Sequence, residues 1–328
     1  MVRGHFDTAQ GFADRLLDLA ERSDAPDQLL IAHTFMGINL FWKGDLAIAH
    51  SHFEQATAHF DPPRQRHVAA LYGMDIGTGC SGYAALPLWM MGYPEQALQR
   101  TRRALSLADE RHHLSTSAMA LCHAANCHNL RRESQTTQRL TQAGLTLSNE
   151  HGFGLWKALH SIQLGMALAQ SGQEAEGIAH LEEGLKASRA RGSTPSDFGA
   201  LAEAYGQVGQ SAKALELIDD ALATNINSGR YSTVPELHRI KGELLLLRDP
   251  SRLAEAEESF RTAIENAQRH AAKSWELRAT TSLSRLLARQ GRRGEARARL
   301  SEIYNWFTEG FDTADLKDAK SLLDELQS

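Results

Sequence analysis

The sequence predicts an all-α, right-handed solenoid of stacked antiparallel helical hairpins, and two observations predict it. The first is a small–large–small pattern at fixed distances after a turn glycine. Gly172 is followed by Gly177, Leu181 and Gly184, and the same offsets of five, nine and twelve recur from Gly44 with Ala49, Phe53 and Ala56. Gly209 leads to Ala214, Ile218 and Ala221, Gly291 to Ala296, Leu300 and Ile303, and Gly92 to Ala97, Thr101 and Ala104. Self-similarity at such a period is the signature of stacked helical hairpins. The second observation is that no stretch joins β-branched enrichment to period-two alternation, so strand signals are missing.

The offsets have a physical reason. Positions five, nine and twelve after the turn share one helix face, because residues three and four apart are neighbours. Small residues at two of them let the second helix of a hairpin come close to the first. The large residue between them fills the groove, and its burial is worth on the order of 1.5–3 kcal/mol. Glycine at the turn supplies the left-handed backbone that ends the first helix.

Residues 1–24 read as half a repeat, a second helix without its first: Gly4 leads to Ala9, Ala13 and Leu16. The chain thus reads as a piece of something longer, or as a reading frame started late. Residues 25–308 hold about seven hairpins, with turns at Gly44, Gly92, near Arg132, Gly172, Gly209, near Asp249 and Gly291. Spacings of 37 to 48 exceed the ~34 of the tetratricopeptide (TPR) unit, so these are TPR-like hairpins with lengthened helices or linkers. The first places Gly37 seven residues before its turn and is stopped by Asp61-Pro62-Pro63. Residues Arg64 to Asp75 add a helix before the second hairpin. In the degenerate third, Thr137 and Gly144 hold the small positions. The fourth and fifth show Gly165 with Leu168 and Ala202 with Tyr205. The sixth carries Gly242, Leu245, Ala256, Phe260 and Ala263, with about two residues inserted around Asp249-Pro250. Residues 309–328 form a capping helix, with Leu316, Ala319, Leu322, Leu323 and Leu326 on its apolar side.

Composition narrows the function. The 328 residues are 42% hydrophobic with eight prolines, and a solenoid spreads that core along its axis, each repeat touching its neighbours. A net charge of −5 argues against a nucleic-acid or anionic-membrane partner. Three cysteines (Cys80, Cys122, Cys127) fit a reducing compartment. No signal peptide and no membrane-spanning run is read from the sequence, and the expected location is the cytoplasm.

Several segments carry a family resemblance. They include Phe41-Trp42-Lys43-Gly44, Leu88-Trp89-Met90-Met91-Gly92-Tyr93-Pro94-Glu95-Gln96-Ala97-Leu98 and Leu201-Ala202-Glu203-Ala204-Tyr205-Gly206. More specific are Arg239-Ile240-Lys241-Gly242-Glu243-Leu244-Leu245 and Ser274-Trp275-Glu276-Leu277-Arg278-Ala279. Most specific is the closing run from Ile303-Tyr304-Asn305-Trp306-Phe307 to Leu316. Together they resemble the C-terminal TPR region of large bacterial signalling proteins. In those proteins an AAA/STAND-type ATPase module precedes the repeats, often with a class III adenylate/guanylate cyclase domain ahead of it. The resemblance implies a regulatory, partner- or ligand-sensing role and carries over no catalytic residue.

Catalytic motifs do not take its place. The dipeptide Gly-Lys of a phosphate-binding loop never occurs, nor do H-E-x-x-H or G-x-S-x-G. Gly77-Thr78-Gly79-Cys80-Ser81-Gly82 spells G-x-G-x-x-G, but that fingerprint works only between a strand and a helix, so it reads as a flexible loop at a helix start. Cys122, His123, Cys127 and His128 form the one metal-like cluster; a structural zinc wants four ligands on two elements, and core cysteines are the default. A nucleophilic Cys–His pair there is the enzyme alternative. No cofactor and no metal is expected. The arginine runs (Arg100, Arg102, Arg103, and Arg285 to Arg299) read as solvated faces with intramolecular pairing.

The concave groove is the remaining functional surface. The first helices of TPR hairpins line it, and projection from the turns places Ile38, Phe41, Trp42, Leu86, Trp89 and Met90 inward. In the later repeats it places Glu203, Gln207, Glu236, Arg239 and Glu243 there, followed by Arg278, Arg285 and Arg289. An aromatic half-groove beside a charged half suits an extended peptide or a partner helix. The competing reading is that lengthened repeats shift the phase and the tryptophans are core packing. The expected function is a non-catalytic interaction or sensor module. Its expected partner is a protein or peptide, such as an ATPase or cyclase module of the same or a neighbouring polypeptide. The alternative is a stand-alone peptide-binding adaptor.

Overall fold

The computed structural model describes residues 6–23, 25–61, 69, 73, 75–191 and 198–327. Among them are sixteen helices and no strand. α1 (Phe6–Ser23) precedes α2 (Pro26–Lys43) and α3 (Leu46–Ala58), which form the first hairpin. Next come α4 (Ile76–Met90) with α5 (Pro94–Arg111), α6 (Leu114–Leu130) with α7 (Ser134–His151), and α8 (Gly154–Gln170) with α9 (Glu174–Ala190). They are followed by α10 (Phe198–Gln207) with α11 (Ser211–Ser228), α12 (Val234–Arg248) with α13 (Leu253–Arg269), and α14 (Lys273–Arg289) with α15 (Arg293–Tyr304). α16 (Ala314–Gln327) comes last. The expected turn at Gly4 lies outside the described residues, as does the helix expected over Arg64 to Asp75 apart from Ala69, Gly73 and Asp75.

The offsets after each turn become the hairpin interface. Ala49, Phe53 and Ala56 are buried, as are Leu181, Ala214, Ile218, Ala256, Phe260, Ala263 and Leu300. Opposite the large residue stands a small one, seven positions before the turn. A Cβ on Gly37 would come within 2.9 Å of the Phe53 ring, and one on Gly242 within 2.5 Å of Phe260. Between α8 and α9 the backbones themselves touch: a Cβ on Gly165 would stand 2.7 Å from the Gly177 carbonyl oxygen. The left-handed residue that ends the first helix is Gly172 (φ 81°) in the fourth hairpin and, in the degenerate third, the non-glycine Arg132 (φ 61°). In the sixth, Asp249 is extended (φ −152°), and its carboxylate accepts from the Ser251 N–H and hydroxyl to shape the longer turn.

The G-x-G-x-x-G run departs from the loop expected of it. It is the first part of α4, fully helical and buried, with Asp75 as N-cap accepting from the Thr78 N–H at 2.7 Å. Its glycines serve close packing: a Cβ on Gly79 would meet Met119 at 3.3 Å, and one on Gly82 would meet His123 at 2.8 Å.

The larger departure concerns reach. A solenoid whose repeats touch only their neighbours was expected, but here the stack curls until distant repeats meet. Trp89 and Trp275 pack edge to face with ring centres 4.7 Å apart. The Tyr231 N–H donates to the Trp42 carbonyl at 3.0 Å, and the Ser274 hydroxyl to the Trp89 carbonyl at 2.5 Å. Arg278 donates to the Leu130 carbonyl at 2.6 Å. The closing run joins the same seam. Glu309 accepts from the Glu95 and Gln96 N–H groups at 2.8 and 3.2 Å, capping the start of α5, whose own N-cap residue Tyr93 makes no side-chain cap. A carboxylate there meets the positive end of the helix dipole. Arg132, at the turn between α6 and α7, pairs with Asp318 at 2.7 Å and Asp315 at 3.3 Å.

In the second arginine run, Arg285, Arg292 and Arg299 pair with acidic residues of the chain. Glu257 and Glu295 between them hold Arg261, Arg292 and Arg299. Among the described residues no helix is long and apolar enough to cross a membrane.

Two predictions follow from this packing. Gly165→Ala forces the α8 and α9 backbones apart and lowers stability by about 1–3 kcal/mol in urea unfolding. Gly11→Ala, in α1 with nothing within 4 Å of its Cβ, raises it by up to about 1 kcal/mol. Burial lowers the pKa of His33, His123 and His160 from 6.5 to about 4, with neighbouring histidines adding to the effect at His33 and His123. The unfolded chain therefore takes up protons first. The stabilisation these groups provide is complete above pH 6.5 and is lost as pH falls towards 4. Thermal unfolding followed from pH 7 to pH 5 shows a falling Tm, and His160→Gln flattens the fall.

Candidate functional site

With the stack curled, the first helices of all seven hairpins face one interior space. Residues two and six positions before the turns share a face, being four apart, and line it. Trp42, Met90, Leu130, Gln170 and Gln207 come from the first set, and Leu86, Asn126, Met166 and Glu203 from the second. Trp275, Leu237 and Ile240 close an apolar chamber of about 140 Å³. A charged chamber of about 250 Å³ adjoins it, lined by Arg132, Arg239, Arg278 and Arg285 and by Glu203, Glu236, Asp315 and Asp318. Gln170, Glu203, Gln207, Glu236 and Arg278 belong to both walls.

The residues projected from sequence divide. Phe41, Trp42, Met90, Glu203, Gln207 and Arg278 lie on the apolar chamber, and Arg239 and Arg285 on the charged one. Arg289 lines a separate cleft with Arg285, Asp318 and Leu322. Trp89 and Glu243 line neither chamber. Trp89, three positions before its turn, is rotated off the inward face and is 2% exposed in the seam against Trp275. Glu243 accepts from the Ser282 hydroxyl at 2.6 Å. Ile38 is also core. The two readings of the tryptophans thus apply one to each: Trp89 is packing, while Trp42 is a half-buried wall with the Arg230 guanidinium 4.8 Å above its ring.

The inward residues of α6 and α8 (Asn126, Asn129, Leu130, Met166 and Gln170) were not projected, nor was Trp275. The same offsets from Arg132 and Gly172 reach Asn126, Leu130, Met166 and Gln170 but neither Asn129, three positions before its turn, nor Trp275.

Electrostatics fix the charged chamber. Arg239 forks onto Glu236 at 2.8 and 2.9 Å, reaches Glu203 at 3.0 Å and lies 3.9 Å from Glu243. Burial alone pushes the Glu236 carboxyl up, but Arg239 and Arg278 outweigh it and hold it below the usual carboxylate range. Burial likewise works against the Arg239 cation, and the surrounding glutamates hold it charged. Arg278 binds Asp315 at 2.8 Å and lies 5.0 Å from the ring centres of both Trp89 and Trp275. Arg285 is the least engaged, with Asp318 at 3.9 Å.

The Cys122–His128 cluster disperses. His128 pairs with Glu133, His123 packs against Tyr83 with ring centres 4.4 Å apart, and burial pushes the Cys127 thiol up to about 11. Among the described residues no group of three or more His, Cys, Asp or Glu is arranged to hold a metal ion.

No family model and no curated protein matches the chain. Solved structures do. The Rap conjugation gene regulator of the plasmid pLS20, in complex with the Phr* peptide, aligns with a TM-score of 0.58 at 13% identity over 92% of this chain and 76% of that one. A Rap protein complexed with Competence and Sporulation Factor aligns at 0.55 with 11% identity, over 85% and 82%. Aspartyl phosphate phosphatase F from Bacillus subtilis aligns at 0.53 with 12% identity, over 89% and 74%. The fold is a TPR-like helical solenoid. At these identities the likeness extends to the fold alone.

Arg239→Met leaves three glutamates without their common cation. The expected loss is about 3–5 kcal/mol of stability, read by urea unfolding at pH 7, with part of it recovered at pH 5 as the carboxylates take up protons.

Proposed function

We propose that this chain is a non-catalytic sensor module whose interior chamber receives an extended peptide. One observation carries the reading: all seven first helices converge on a single site whose apolar half runs into its charged half through shared residues. The combined space falls within the range of ligand sites, which are mostly apolar with a few placed polar groups. The Rap regulator solved with the Phr* peptide supports a peptide as occupant of such a solenoid.

The phosphatase among the similar structures raises catalysis as the competing reading. The chamber carboxylates argue for binding instead. Glu203, Glu236 and Asp315 are each paired with arginine, which suits fixed walls better than groups that give and take protons. The resemblance of the closing run to the TPR regions of ATPase and cyclase signalling proteins supports a regulatory output through such a module, in the same or a neighbouring polypeptide.

A randomised hexapeptide library panned against the protein and followed by tryptophan fluorescence tests the proposal. Selected peptides bind wild type, and Trp42→Ala weakens them at least tenfold without lowering Tm by more than a few degrees. Val208→Ala, outside the chamber lining, leaves binding unchanged. Selected peptides that bind Trp42→Ala and wild type equally well would sink the reading.

A further inference from the structure

Outside the chamber, the closing run leaves aromatic rings in water. Trp306 is 37% exposed and Phe311 49%. Both belong to a band around the start of α5. The Trp306 ring packs on Tyr93 with ring centres 5.8 Å apart, and Gly310 lies against Pro94, the first residue of α5. Tyr304 completes the band, edge-on to Phe311 at 5.9 Å. Glu302, two residues before Tyr304, and Asp312, next to Phe311, are exposed carboxylates with no partner among the described residues.

The outer face of α5 carries the opposite charge. Gln96, Gln99, Arg102, Arg103 and Ser106 are exposed and succeed one another at helical spacing, so they form one stripe. The Gln96 amide donates to Glu309 at 3.2 Å, which sets the start of the stripe beside the closing run. Arg100, on the neighbouring flank, is held by Glu54. Arg102 and Arg103 have no partner among the described residues. At 1.5 Å of rise per residue they stand about 12–14 Å along the helix from Pro94. Asp109 and Glu110 lie nearly two turns further on.

A surface with aromatic rings and unpaired carboxylates at one end, and unpaired guanidiniums two turns along, is complementary to itself turned end for end. We infer that a second copy of this chain covers it in a two-fold dimer, with the α5 helices antiparallel and crossing near Gln99. Such an interface is isologous, each contact occurring twice. About that crossing, Arg102 and Arg103 of each copy come opposite Glu95 and Gln96 of the other, beside its closing run. Asp109 and Glu110 pass beyond the start of the other copy's α5. A guanidinium at the closing run meets carboxylates and the exposed parts of Trp306 and Phe311. The chain already makes that pairing within itself, where Arg278 lies over Trp89 and Trp275 and Arg230 over Trp42. One helix pair and two closing runs make a small interface, so the dimer forms at micromolar concentration. Its charges lie at the surface, so salt weakens it.

Sedimentation equilibrium of the whole chain from about 1 to 200 µM, the range of weak specific association, tests this. Wild type passes from monomer to dimer across that range. Salt at about 1 M, where the Debye length falls to about 3 Å, weakens the dimer at least fivefold, and Phe311→Ala weakens it at least threefold. Arg102→Glu with Arg103→Glu weakens it at least tenfold, as does Glu302→Arg with Asp312→Arg. All four positions are exposed, so both double variants keep the wild-type Tm within a few degrees. Mixed in equal amounts, the two form a heterodimer of wild-type strength, because each stripe then meets a rim of opposite sign. A damaged fold cannot produce that rescue. Wild type that stays monomeric throughout overturns the inference, as does a dimer indifferent to both double reversals or a mixture that fails to recover. A monomer that binds a hexa-arginine peptide through this rim assigns the surface to a basic partner and overturns it likewise. None of these outcomes touches the peptide reading, since no chamber residue is altered.

Discussion

Two helices can approach only as far as the atoms between them permit, and here that limit is set by what is missing. Seven positions before the turn there is glycine or alanine in six of the seven hairpins, and in four of the seven a leucine, isoleucine or phenylalanine nine positions after the turn drops into the space left. The consequence is a hairpin with a fixed separation and crossing, repeated along the chain. The curvature of the stack follows from how one hairpin sits on the next, and in the second to fifth hairpins the residues two and six positions before the turn come to face one interior. The chamber is a by-product of the interlock.

Curvature alone would leave the ends of the stack apart. Contacts between residues 148 to 214 positions apart bear the entropy of closing a long loop, which grows only slowly with length. The seam offsets it with buried tryptophan rings and with backbone carbonyls of Trp42, Trp89 and Leu130 that find donors across the gap. Arg278 belongs to both structures at once. It bonds across the seam, lies over two seam tryptophans and forms part of the chamber wall. A ligand that touches Arg278 therefore touches the closure.

The parts of this architecture legible in the sequence are those governed by local spacing. Leu181 facing Gly165 could be read from offsets, since a helix carries its own ruler. So could the inward face of α10, where Glu203 and Gln207 stand four apart. The same ruler applied from the turns at Arg132 and Gly172 finds Asn126, Leu130, Met166 and Gln170, which the projection from the first two and the last three turns did not reach. What local spacing omits is the partner across the seam. Trp89 looked like a groove aromatic because nothing near it in sequence announces Trp275, 186 positions later. The glycines of α4 read as a flexible loop for a similar reason, as Met119 and His123, the side chains they make room for, come from another hairpin.

The carboxylate of Glu309 satisfies the first N–H groups of a helix that begins 214 residues earlier. On a ribosome adding about 5–20 residues per second, that helix is outside the tunnel for roughly 10–40 s before its capping group has been synthesised. Throughout that interval those N–H groups lack the carboxylate that caps them, and until Trp275 is made Trp89 lacks its edge-to-face partner. The closing of the curled stack thus waits on residues made long after the helices they join.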